Sequence, residues 1–179
     1  MRAWRWLLTP TLLLALAGCG GGGSSSSTPT PSPTPSPYVA TDAGFSAVFP
    51  ATAQKQTQPV NQNGVSLNTT LYLATTNDEQ IVVAYTQLPV APQGGAIQAG
   101  LDGGVNGSAQ NVNGQIASRS NTTFLGQPAE DAVITAQGQV VHERIVFFGR
   151  KLFVLEGVTN SMDAKHPAYD RLLATFKTL

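Results

Sequence analysis

The sequence predicts an α+β domain: one antiparallel sheet with a helix layer on each face, an α/β/α sandwich, preceded by a disordered tether. Three observations predict it. Runs with apolar residues at every second position, bounded by turn residues, recur between Val65 and Thr159, as strands require. Two other stretches, Ala96 to Gln110 and the region through Phe176, repeat at helical spacing instead. The strand pair around Gly149-Arg150 is apolar on both faces near its turn, so it needs cover on both sides.

The chain opens with a secretory signal in residues 1–18. Arg2 and Arg5 form the positive region, Leu7 to Leu16 the apolar run, and Ala17-Gly18 the small residues before a cut. The apolar run is about half the ~20 residues that a spanning helix needs, so no permanent membrane span is expected there. Leu16-Ala17-Gly18-Cys19 resembles the lipobox of bacterial lipoproteins and lies where that motif must lie. The resemblance implies that Cys19 becomes the first residue after cleavage and carries a diacylglyceryl thioether, usually with a further acyl chain on its amine. One acyl chain holds a protein to a bilayer only marginally, while two or more hold it firmly. Gly20 follows the cysteine, where retention in an inner membrane would favour Asp, so the expected place is the cell envelope at the periplasmic side of the outer membrane. Residues 19–37 read as lipidated cysteine and tether: Gly20 to Ser27 is flexible, and the alternating Thr-Pro and Ser-Pro of Thr28 to Pro37 favours polyproline II.

Residues 38–179 form the globular domain. Phe45 to Phe49 reads as a short strand closed by Pro50. Val65, Leu67, Thr69, Leu71 and Leu73 line one face of the next, and Asn77-Asp78 turns the chain into Ile81 to Leu88. In Ala96 to Gln110, Ile97, Leu101 and Val105 make one helical stripe. Gly100, Gly103, Gly104 and Gly107 each cost that helix ~1 kcal/mol relative to Ala. Gln115 to Phe124 is polar and reads as an edge strand; Ala129 to Ala136, Val140 to Phe148 and Lys151 to Thr159 follow. Tyr169, Leu172, Leu173 and Phe176 then mark a helix with Asp163 as candidate cap and Pro167 in its first turn. The element order is βββ-α-ββββ-α.

That order, with Gly44-Phe45-Ser46-Ala47-Val48-Phe49-Pro50, Ile81 to Pro89, Leu125-Gly126-Gln127-Pro128-Ala129 and the helix closing in Phe176-Lys177, resembles the PsbP/Mog1-like family. The resemblance implies a non-catalytic sandwich of the kind that serves in partner binding or assembly; plant members attach to the lumenal face of a photosystem. No photosynthetic role is carried over. A cystatin-like or β-sandwich domain is the alternative fold.

Composition narrows the function further. Only 11% of residues are charged, against ~25% in typical soluble proteins. Losing Arg2 and Arg5 with the signal leaves eight basic and ten acidic side chains, a net charge of −2. Nothing builds the positive field that nucleic acid requires. A single cysteine allows no internal disulfide. The chain has no G-x-S-x-G, its two histidines lack metal-ligand spacing, and no cofactor motif is present. His166 reads as a solvated residue at a helix start and His142 as a rim residue.

One constellation stands out. A two-residue loop at Gly149-Arg150 places Glu143 directly opposite Glu156, where like charges are destabilising. Such a carboxylate pair could share a proton, bind a cation, or act as acid and base; a bulged register, or Arg119 or Lys165 nearby, would neutralise it. The expected function is a non-enzymatic envelope lipoprotein. It would meet the bilayer through Cys19 and hold an envelope protein or glycan through a sheet edge or a helix–sheet cleft. A hydrolase of envelope polymers using the carboxylate pair is the alternative.

Overall fold

The computed structural model describes residues 36–62, 65–160 and 165–179. The signal sequence, Cys19, most of the tether and Asp163 lie outside the described residues.

The centre of the fold is a seven-stranded antiparallel sheet. Its strands are β3 (Gln54–Gln62), β4 (Val65–Thr75), β5 (Gln80–Gln87), β6 (Gln115–Phe124), β7 (Gln127–Ala136), β8 (Gln139–Phe148) and β9 (Lys151–Thr159), in spatial order β3-β4-β5-β9-β8-β7-β6. The C-terminal half is a meander of two-residue hairpins. Leu125 and Gly126 both take positive φ, 49° and 78°, as a type I′ turn demands. The last hairpin pairs Phe148 with Lys151 across Gly149-Arg150, the register expected from the sequence.

Helix α1 (Gly95–Asn111) covers one face of the sheet over β6, β7 and β8. Leu101 and Val105 pack there on Ala132, Ile145 and Phe147, and Ala109 on Ile134 and Val141. The glycines of α1, poor helix formers by propensity, let its backbone approach the sheet: a Cβ on Gly100 would stand 2.8 Å from Phe147 Cζ. The other face carries helix α2 (Pro167–Thr175) and a small sheet of β1 (Tyr38–Ala40), β2 (Phe45–Ala47) and β10 (Lys177–Thr178). Here lies the larger core, in which Phe45, Phe153 and Phe176 meet around Tyr72, Ile81, Val83, Leu155 and Leu172. The sandwich is thus the expected one, and the cystatin-like and β-sandwich alternatives do not describe it.

Individual elements differ from expectation. The Phe45 strand stops at Ala47 and belongs to the small sheet, not the large one. The first strand of the large sheet is β3, whose sequence QKQTQPVNQ has no apolar alternation to betray it. As an edge strand it needs only one partner, and it tolerates Pro59 for the same reason.

Candidate functional site

Glu143 and Glu156 are brought together as the register required. They face each other across β8 and β9 on the α1 side of the sheet, with Ala132 and Val82 as outer neighbours in the same row. Glu143 is 1% exposed. Neither of its carboxylate oxygens has a hydrogen bond of proper geometry among the described residues. Burial raises it to about 8; the Ser108 hydroxyl of α1 offsets part of that cost, while Glu156 and Glu130 add to it. Burial raises half-buried Glu156 to about 7. Both carboxyls are thus held well above the ordinary carboxylate range, chiefly by burial. Neither the bulged register nor Arg119 relieves them, because Arg119 is engaged elsewhere, and Lys165 is exposed.

Arg119 projects from β6 onto the α1 face and joins Asp102 of α1 to Glu130 of β7, with Nε 2.7 Å from Glu130 Oε1. Glu130 is 1% exposed, and its second oxygen, Oε2, is buried with no partner among the described residues. Burial raises its pKa, which Arg119 partly counters. Gln98 donates to Asp102 at 2.8 Å and to Asn121 Oδ1 at 3.0 Å. Together these residues line a cleft of about 330 Å³ between α1 and β6.

The opposite face holds a second cleft, of about 210 Å³, whose lining includes Ser118, Asp131, His142, Glu143, Arg144 and Tyr169. Arg144 makes a two-pronged bond to Asp131, 2.6 and 2.7 Å, and lies over the Phe124 ring. His142 lies against His166 with ring centroids 3.8 Å apart and planes tilted by 43°. Its pKa is lowered by burial and by that neighbour, an effect Asp170 opposes. His166 does start the helix, but it is buried rather than solvated, because α2 lays it against β8.

Sequence reasoning missed Glu79. Thr76 pins it in the β4–β5 turn through backbone and hydroxyl contacts to the Glu79 carbonyl and amide. From there its carboxylate accepts from the amides of Ala168 and Tyr169, 3.0 and 3.1 Å, so it caps α2 across the fold. A residue some ninety positions away leaves no local signal of such a cap.

Among the described residues no group of three or more His, Cys, Asp or Glu side chains is arranged to hold a metal ion, and no helix is long and apolar enough to cross a membrane. No protein-family model matches the chain, and no curated protein sequence matches it. Among solved structures it is similar to the solution structure of cyanobacterial PsbP (CyanoP) from Synechocystis sp. PCC 6803. The identity is 12%, the TM-score 0.58, and the match covers 87% of this chain and 99% of that one. At that identity the likeness concerns architecture: the domain has a PsbP-like fold.

Proposed function

We propose that the chain is a lipid-anchored module of the bacterial cell envelope that acts by holding a partner, a protein or a cell-wall component, and not by catalysis. It is attached through Cys19 and stands off the periplasmic side of the outer membrane on its Gly/Ser/Thr/Pro-rich tether. The observation that carries this reading is the state of the ionisable groups. The carboxyl of Glu143 is buried with Ser108 of α1 beside it, Glu79 is used as a helix cap, and Asp131 and Arg144 neutralise each other. What the domain offers to solvent is the polar edge strand β6 with a cleft on each face. The signal sequence and the resemblance of residues 16–19 to a lipobox support the anchor, and the resemblance to a family of partner-binding modules supports the role. A hydrolase would need both glutamates at a surface, and Glu156 lines neither cleft.

Two measurements test the reading. Wild-type protein should partition into the detergent phase with an acylated N-terminus, and Cys19→Ser should not; an unmodified Cys19 in mature protein ends the anchoring claim. Cells carrying the Glu143→Gln, Glu156→Gln double variant should keep the protein's biological function. Loss of function in a normally folded double variant would restore the catalytic alternative.

A further inference from the structure

We propose that β6 is a docking edge for an extended polypeptide segment that adds an eighth strand to the sheet and lodges a lysine or arginine side chain against Glu130. This rests on the partner-binding reading and gives it a surface and a partner chemistry.

The two edges of the sheet differ. β3 is blunted: Pro59 removes a backbone donor and Lys55, paired with Asp42, adds a charge. β6 has no proline, and its one charge, Arg119, is turned onto the sheet and held by Asp102 and Glu130. The single irregularity, between Ile116 and Ser118, leaves Ser118 to Phe124 in regular pairing with β7. Along that stretch the outward backbone groups of β6 have no strand beside them among the described residues.

Side chains of an added strand alternate between faces. Beside β6 each face has a cleft, and Ser120 lines both. Successive residues of a docked segment would therefore enter one cleft and then the other. The α1-side cleft holds two carboxylates against one guanidinium, and Glu130 Oε2 is a buried acceptor with nothing to accept from. A buried unpaired acceptor is costly, and an incoming ammonium or guanidinium supplies the missing donor. The α2-side cleft is balanced, its Arg144 tied to Asp131, and it suits a small uncharged side chain. The chain's own Thr28 to Pro37 does not fit. It has no basic residue, and every second position lacks an N–H.

The test uses the isotope-labelled full chain in detergent and a capped seven-residue peptide of alternating threonine and valine with one central lysine, beside a twin carrying norleucine. The amides of Ser118 to Thr123 should shift saturably. Wild type should favour the lysine peptide by about fivefold, the scale of a partly buried ion pair. In Glu130→Gln that preference should fall to about one while the norleucine peptide binds as before. Asp102→Asn, on the helix surface, should narrow the preference in the same way and serves if Glu130→Gln does not fold. Absent shifts, shifts confined to β3, or an unchanged lysine preference in both variants would overturn the proposal. So would self-association of the peptide-free chain through the same amides, which assigns the edge to a second copy. A photo-crosslinker at Ser120 in the native membrane separates the two levels. A partner captured only through other surfaces overturns the docking edge and keeps the partner-binding reading. No partner at any surface overturns that reading as well.

Discussion

Glu143→Gln should stabilise the domain at alkaline pH and leave it nearly unchanged in acid. In the wild type the carboxyl rises from 4.5 to about 8 on folding because α1 and the sheet strip it of water. A carboxyl raised in this way contributes stability that is fully present below pH 4.5 and is lost as pH climbs to about 8. Each pKa unit corresponds to ~1.36 kcal/mol, so the shift sets a ceiling of about 5 kcal/mol on the loss. Glu156 adds in the same direction over pH 4.5 to about 7, though coupled groups do not simply sum. Because relaxation and water penetration reduce such burial penalties, about 3 kcal/mol is the expected gain for the variant at pH 9, a large fraction of a typical ~5–15 kcal/mol domain stability. Asp42, lowered chiefly by its bond to Lys55, acts below this window. Glu130, raised by burial, adds to the trend, while His142, lowered by burial, opposes it below pH 6.5, so the effect of Glu143 is read as the difference between variant and wild type. Urea unfolding followed by circular dichroism at pH 5, 7 and 9, on wild type and variant, reads the difference directly. A difference between variant and wild type that does not grow from pH 5 to pH 9 would refute the argument.

Three further outcomes follow from the packing. Gly103→Ala, with open space around it, should stabilise α1 by up to ~1 kcal/mol, whereas Gly100→Ala should cost ~1 kcal/mol or more because its methyl meets the Phe147 ring; thermal melts compare them. Glu79→Ala should destabilise by ~1–2 kcal/mol and strip hydrogen-exchange protection selectively from residues 167–175. Leu125→Asn should raise stability by ~1 kcal/mol, since Leu125 is half exposed at a positive φ that asparagine tolerates better; an unchanged chemical-denaturation midpoint would count against it.

The last hairpin was readable because its turn is local: Gly149-Arg150 sets the register, and the register alone placed Glu143 opposite Glu156, whereas β7 starts at Gln127, two residues before the Ala129 expected from the sequence. Helix α1 was readable from Leu101 and Val105 despite its glycines, whose purpose emerges only against Phe147 and Ile145. β3 was invisible because an edge strand among glutamines has no apolar face to display, and β1 and β10 are too short for any period. The Glu79 cap, the His142–His166 contact and the orphaned Glu130 oxygen depend on contacts between distant segments, and no spacing rule reaches that far.

The small sheet also decides how the domain meets mechanical load. β1 and β10 flank β2, and Val39 and Lys177 both stand opposite Ser46, about two strand spacings or ~10 Å apart. Tension applied through the residues before Tyr38 therefore falls on just three rungs, Tyr38 to Ala47, Val39 to Ser46 and Ala40 to Phe45. Parting them also takes the Tyr38 ring away from Phe49 and Tyr72. β1 is held apart from the seven-stranded sheet, so its three rungs can part without breaking any pairing of that sheet, and force spectroscopy on residues 36–179 pulled from the N-terminal end should record a short, low-force step before the main rupture.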